Sequence, residues 1–267
     1  MDLLKYLFLG LLQGITEPLP ISSSGHIYIF KAMFNTTMFN DLTLEIFLNF
    51  ASFIAIFIIF KDDIIRLLKG FFEYIKTKGK SAKEEFRYCM LVVIGTIPVG
   101  LLGLLVKDPM ENLLSKNVFF VGIGFFITAI ALLLVFNANG DKQDKDITYQ
   151  DAIVVGLFQV ISLLPGISRS GLTLVGCLLR GMDQKTSLRY SFMLYFPVSA
   201  GTMLLKVNDL ISTPTTLLLP YLCGMIAALI ITYFSYQWLS NMVKKGKLWK
   251  FSIYCLCLAL FIFIYFR

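Results

Sequence analysis

The stretch Gln13-Gly14-Ile15-Thr16-Glu17-Pro18-Leu19-Pro20-Ile21-Ser22-Ser23-Ser24-Gly25-His26 interrupts an apolar region that runs over residues 3–34. Two prolines and a Ser-Ser-Ser-Gly run break any helix there, so the region reads as a short helix, a polar turn and a second short helix. Residues 152–182 are built the same way, broken by Pro165-Gly166 and Ser168-Arg169-Ser170-Gly171. Neither half of either region reaches the roughly 20 residues a membrane crossing needs. Broken backbone at membrane depth is tolerated only where protein or a watery cavity surrounds it. Each region is therefore expected to be a re-entrant helical hairpin.

Around these hairpins lie six segments of near-spanning length: 44–60, 88–106, 118–136, 190–205, 216–236 and 251–266. Of the 267 residues, 57% are apolar and 15% charged, with a mean hydropathy of +0.76. Soluble domains run at roughly 45–50% apolar and 25% charged. A soluble enzyme, a disordered chain and a secreted disulfide scaffold are excluded. The expected fold is an all-α polytopic membrane protein, one integral-membrane domain over 1–267, with six transmembrane helices plus two re-entrant hairpins. The formal charge of +7 sits in loops, where anionic membrane lipid and topology account for it better than nucleic acid does. Cys89, Cys177, Cys223, Cys255 and Cys257 lie in or beside apolar segments and read as small buried apolar residues. The opening Met1-Asp2-Leu3-Leu4-Lys5 lacks the basic region and cleavage site of a signal peptide.

Lys and Arg orient the chain. With the 61–87 loop placed in the cytoplasm, seventeen of the 24 fall in cytoplasmic segments. Six fall outside (Lys5, Lys31, Lys107, Lys116, Lys206 and Arg267), and Arg169 lies within the second hairpin. This positive-inside bias puts both termini on the outer face. The hairpins also match each other at an offset of 146: Gly10-Leu11-Leu12-Gln13 aligns with Gly156-Leu157-Phe158-Gln159, and Ser22, Ser24 and Gly25 align with Ser168, Ser170 and Gly171. Each copy is followed by three spans, so the second is inverted relative to the first. The expectation is an inverted-topology repeat, 1–136 and 152–267, with the hairpin tips meeting at the repeat interface, where such folds place their sites.

The two tips differ in a complementary way. The first carries Gln13, Glu17, Ser22, Ser23, Ser24 and the single histidine, His26; the second carries Ser168, Arg169, Ser170 and Thr173. Where the first has Ser23, the second has Arg169. Ionisable groups at membrane depth are costly and mark function by default. A guanidinium, hydroxyls and two helix N-termini suit phosphoryl oxygens, and Glu17 suits a divalent cation travelling with a diphosphate. The plainer alternatives are close-packing serines, a structural Glu17–Arg169 ion pair and a histidine that bonds a neighbouring helix. Asn49, inside an apolar span, reads equally as helix glue or as site lining.

Residues 13–26 and Leu164-Pro165-Gly166-Ile167-Ser168-Arg169-Ser170-Gly171-Leu172-Thr173 resemble the two signature motifs of the bacterial undecaprenyl-pyrophosphate phosphatase family, known for bacitracin resistance. The resemblance covers the whole chain. It implies a cell-membrane hydrolase that converts undecaprenyl diphosphate to the monophosphate carrier of cell-wall synthesis. It implies catalytic roles for Glu17, Ser23, His26 and Arg169, and substrate binding by Gln13, Ser22, Ser24, Ser168, Ser170 and Thr173. Its cofactor would be a divalent cation, Mg or Ca, held at Glu17. Two departures stand out: Gln13 removes one anionic metal ligand, and Asn49 occupies a position where the resemblance leads us to expect Gln or His, which puts a role there in doubt.

The expected chemistry is in-line attack at the terminal phosphorus, with Ser23 as nucleophile and His26, assisted by Glu17, as base and later acid. Direct attack by water is the alternative. The partner is a polyprenyl diphosphate lipid entering sideways, since its chain leaves the bilayer only at roughly 0.8 kcal/mol per CH₂. An oligomer is compatible with the sequence. A second class of function fits the same architecture, a polyprenyl-phosphate flippase or anion transporter that binds without cutting.

Overall fold

The computed structural model describes residues 3–34, 42–114, 118–138, 140–207 and 214–266. Among them the chain is helical, with one isolated bridge between Lys142 and Met182. The helices in order are α1 (Leu3–Thr16), α2 (Ser23–Phe34), α3 (Leu42–Thr77), α4 (Lys83–Leu114) and α5 (Phe119–Leu134), then α6 (Tyr149–Ile161), α7 (Arg169–Leu179), α8 (Gln184–Leu205), α9 (Thr215–Lys244) and α10 (Trp249–Tyr265). Three are long and apolar enough to cross a membrane: Thr43–Thr77, Lys83–Gly103 and Thr215–Lys244. Leu134, Leu204, Leu205, Leu219 and Ile264 stand exposed on helix surfaces, as lipid-facing side chains do. The chain is a multi-pass membrane protein.

Both broken regions form short helix pairs, α1–α2 and α6–α7. Helices α1 and α6 begin 146 residues apart, as do α2 and α7. Packing is exchanged between the halves: α1 lies mainly on α9, α6 on α4, and α5 on α10. The first two crossings are set by glycine. A Cβ on Gly10 would sit 2.2 Å from the Gly224 carbonyl oxygen, and one on Gly156 would sit 2.5 Å from that of Gly95. Only hydrogen at those positions lets the backbones approach.

Local chemistry fixes the second pair. Thr148 and Asp151 form a reciprocal capping box at the start of α6. Ser168 caps α7 by accepting from the Gly171 N–H at 3.1 Å. Between them Gly166 adopts φ +79, and a Cβ there would meet the Val121 carbonyl oxygen at 2.2 Å, so glycine is required twice over. Asp151 is fully buried and accepts from Arg180 Nε at 2.6 Å and Lys142 Nζ at 3.2 Å, tying α6 to the end of α7.

Two sequence expectations need correction. The 61–87 loop is largely helix: α3 continues to Thr77 and α4 begins at Lys83. The charged extension has an apolar face that packs on α4, with Phe86 stacked on Phe71 and Tyr74, so the helix outlasts the span. Cys257 is exposed, not buried; Cys255, two residues earlier and on another face, fills the core. Lys116 and Arg267, counted on the outer face, lie outside the described residues, and so do Met1 and Asp2.

Candidate active site between two hairpin tips

The tips meet. Ser170 Oγ donates to the Leu19 carbonyl at 3.3 Å, joining the second tip to the first. Gly25 and Gly171 keep the contact close, since a Cβ on either would press on Gly166 or Pro20 of the opposite tip. A cavity of about 170 Å³ opens beside this contact. Glu17, Ser22, Ser23 and Ser24 line it from the first tip, and Ser168, Arg169 and Ser170 from the second.

Within the first tip, Ser23 Oγ donates to Glu17 Oε2 at 2.5 Å. Gln13 Nε2 donates to the same oxygen at 3.0 Å and to Asn49 Oδ1 at 2.7 Å. Gln13, one turn before Glu17, is buried and absent from the cavity wall, and its amide bonds the Glu17 carboxylate from behind. Thr173 is likewise buried and absent from the wall, bonded to Ser191 Oγ at 2.5 Å and to the Arg169 carbonyl at 2.9 Å. It holds the first turn of α7, from which Arg169 projects.

His26 is placed differently from the expectation. Its Nδ1 lies 2.7 Å from the Ser22 carbonyl oxygen, and its Nε2 lies 2.6 Å from the Tyr254 hydroxyl. Both ring nitrogens are thereby engaged, the ring is buried, and it is not part of the cavity wall. One turn of α2 separates His26 from Ser22, and this turns the imidazole back along the helix toward the cap. The group in contact with Ser23 is Glu17.

Arg169 Nε is buried without a hydrogen-bond partner among the described residues. The Glu17 bonds come from Gln13 and Ser23, so the plain ion pair between Glu17 and Arg169 is not formed. A guanidinium with an unfilled donor, beside the N-terminus of α7, has the chemistry to bind an anion. The cavity wall also holds residues that sequence reading passed over: Glu45, Tyr195, Ser199 and Lys206. Glu45 carried a usable signal, since it lies four residues before Asn49 and so on the same face of α3.

A divalent cation fits this set in one particular way. Among the described residues no cluster of three or more His, Cys, Asp or Glu side chains could cage a metal. Glu17 and Glu45 do line one cavity, and both bonds accepted by Glu17 fall on Oε2, which leaves Oε1 for a ligand. One or two carboxylates plus substrate phosphates is how Mg²⁺ is commonly held.

Residues 6–261 match the family model described as bacitracin resistance protein BacA. The chain belongs to that family. It is 44% identical to "Undecaprenyl-diphosphatase 2" of Bacillus thuringiensis (strain Al Hakam), over 98% of this chain and 97% of the relative. Identity is 40% to "Undecaprenyl-diphosphatase 1" of Bacillus licheniformis, over 98% of both chains, and 41% to "Undecaprenyl-diphosphatase" of Oceanobacillus iheyensis, over 98% and 96%. For this member of the BacA family, the two hairpin tips thus carry both the sequence motifs and a cavity that they line together.

Proposed function

We propose that this protein hydrolyses undecaprenyl diphosphate to undecaprenyl phosphate and inorganic phosphate, with the chemistry in the cavity between the tips. The observation that carries the reading is the Ser23–Glu17 hydrogen bond, in a cavity that Arg169 also lines. Glu17 would take the Ser23 proton as the oxygen attacks the terminal phosphorus. Glu17 passes that proton to the departing undecaprenyl phosphate, leaving a phosphoserine, and then serves again as base for the water that releases inorganic phosphate, returning the proton to Ser23. Arg169 and the N-termini of α2 and α7 neutralise charge on the phosphoryl oxygens. A serine hydroxyl that donates to a carboxylate within the cavity favours serine over water as the first nucleophile. His26 acts on the cap of α2 and not on the reacting oxygen.

The residues that would hold a divalent cation, Mg or Ca, are Glu17 and Glu45; such a cation would supply further neutralisation of the diphosphate. The lipid chain would extend sideways between helices. The transport alternative is not favoured, since binding alone gives no use for an activated hydroxyl and the relatives are named for hydrolysis.

The architecture proposed with this activity is the inverted-topology repeat, 1–136 and 152–267, with six spans and two re-entrant hairpins. The matching starts of α1 and α6, of α2 and α7, and the exchanged packing of α1 on α9 and α6 on α4 support it. The Lys and Arg distribution supports both termini on the outer face of the bacterial cell membrane.

The test is phosphate release from undecaprenyl diphosphate in detergent, with and without EDTA, for wild type, Arg169→Ala and Ser23→Ala, followed by acid quench and mass spectrometry for phosphoserine at position 23. Release by wild type that EDTA suppresses and both variants lose supports the full reading. Release unaffected by EDTA removes the cation, full release by Ser23→Ala removes the nucleophile, and no release by folded wild type removes hydrolysis.

A further inference from the structure

Ser22 has φ +64, one of two non-glycine residues with positive φ among those described. A side chain in that region costs of order 1 kcal/mol and persists only where surrounding structure holds it. The second tip provides an internal control. Its matched residue, Ser168, caps α7 through the same two contacts: Ser168 Oγ accepts from Gly171 N at 3.1 Å and lies 3.3 Å from Ser170 Oγ. Ser22 Oγ accepts from Gly25 N at 3.3 Å and lies 3.5 Å from Ser24 Oγ. Yet Ser168 is relaxed, at φ −78. Strain is present only in the tip that carries Ser23.

What holds it is equally asymmetric. The Ser22 carbonyl accepts from the backbone N–H of His26 at 3.3 Å and lies 2.7 Å from the His26 ring Nδ1. At the matched position of the second tip stands Leu172, whose backbone N–H donates to the Ser168 carbonyl at 2.9 Å but whose side chain offers no donor. A carbonyl only accepts, so Nδ1 carries the proton. The ring is buried edge-on to Phe125 at 5.3 Å, where an imidazole without an anionic partner is best kept neutral. Nε2 is then an acceptor, and the Tyr254 hydroxyl, 2.6 Å away, is its donor. The Tyr254 ring also lies parallel to the imidazole, at 5.7 Å and 8°. α10 is itself fixed against the site: Ser252 Oγ donates to the Ala129 carbonyl at 2.7 Å, and Cys255 packs at Pro20.

We propose that Tyr254 is a positioning residue for the hydrolysis: it locks His26 in the Nδ1–H tautomer, His26 holds the Ser22 carbonyl, and the strained Ser22 turn aims Ser23 Oγ at Glu17. A hydroxyl on α10 thus sets the geometry of a nucleophile some 230 residues earlier in the chain. The inference rests on Ser23 as nucleophile.

The test uses purified full-length protein in detergent, comparing wild type, Tyr254→Phe, His26→Phe and the double variant. Tyr254→Phe keeps the ring and its packing and removes only the donor. Its kcat should fall about 3- to 10-fold, the worth of one hydrogen bond, with KM within twofold of wild type. The same substitution should have no further effect in the His26→Phe background, which must itself retain measurable turnover and a wild-type-like melting temperature for this comparison. His26 is the only histidine, so ¹⁵N-histidine spectra report its tautomer directly without any turnover. Wild type should show protonated Nδ1 and unprotonated Nε2, and Tyr254→Phe a tautomer mixture. Wild-type kcat in Tyr254→Phe, or an unchanged ¹⁵N spectrum, would overturn the proposal. A kcat loss that persists fully in the His26→Phe background would overturn it as well. Full activity of Ser23→Ala is a different outcome: it removes the nucleophile assignment, while the tautomer measurement still reads the Tyr254–His26 contact.

Discussion

Ser23 Oγ donates to Glu17 Oε2 at 2.5 Å across a turn that contains Pro18 and Pro20. The prolines end α1 at Thr16, just before Glu17, and prevent a helix from carrying Ser23 one face away. The carboxylate and the hydroxyl therefore face each other across the break, and Gln13, one turn back, steadies the acid.

Glu17→Gln keeps the volume and most hydrogen bonding but removes the proton acceptor. Phosphate release should fall about 10²- to 10⁴-fold, with the substrate KM little changed. A loss seen mainly in KM would assign Glu17 to binding alone.

Arg169→Lys preserves the charge and discards the planar fork. Its kcat/KM should drop roughly 10- to 100-fold, and Arg169→Ala should drop further. Equal activity of Arg169→Lys and wild type would mean that charge alone suffices.

Asp151 links pH to stability. Burial raises its pKa, but hydrogen bonds from the Thr148 backbone, Arg180, the Thr148 hydroxyl and Lys142 outweigh this and bring it from 3.8 to about 2. A carboxylate depressed on folding stabilises the folded state above its unfolded pKa and loses that contribution as pH falls through its folded one. The worth is about 1–2 kcal/mol at neutral pH, discounted because Arg180 and Lys142 are each about one-third exposed. Thermal melts of wild type and Asp151→Asn should differ at pH 7, and the gap should close between pH 4 and pH 2. A gap independent of pH would assign the loss to packing.

Glycines at the helix crossings should respond oppositely to glycines in open space. Gly10→Ala drives a methyl into the Gly224 carbonyl at 2.2 Å and should destabilise by roughly 1–3 kcal/mol. Gly100→Ala, with nothing within 4 Å, should be neutral or stabilising by about 0.5–1 kcal/mol. Melting temperatures of the two variants moving in the same direction would contradict the crossing geometry.

Much of the site was legible because it is local. Pro18, Pro20, Pro165 and the serine–glycine runs announce the breaks, and Ser22 and Ser168 are helix caps by residue type. The Glu45 carboxylate was visible only as a charge near the start of a span. The place of His26 was not legible at all. Spacing put it within a turn of Ser23, but helical side chains lean toward the N-terminus, and its ring found the Ser22 carbonyl and a tyrosine on the last helix. By its charge the 61–87 segment looks like a loop, whereas the apolar stripe containing Phe71 and Tyr74 keeps it helical.

By itself, the sequence determined that this chain is a helical membrane protein with two broken helix pairs, and that the acid lies on one tip, the guanidinium on the other and hydroxyls on both. Those properties follow from hydropathy, proline and capping, which act over a few residues. Only the tertiary structure decided that Ser23 meets Glu17, that Gln13 and Thr173 bond their neighbours from outside the cavity wall, that Arg169 goes without a carboxylate, and that Tyr254 closes on His26. Contacts between residues far apart in sequence depend on which helix backbones approach closely. Here that is set by glycines facing carbonyls across α1–α9 and α4–α6, a steric match that neither partner displays alone.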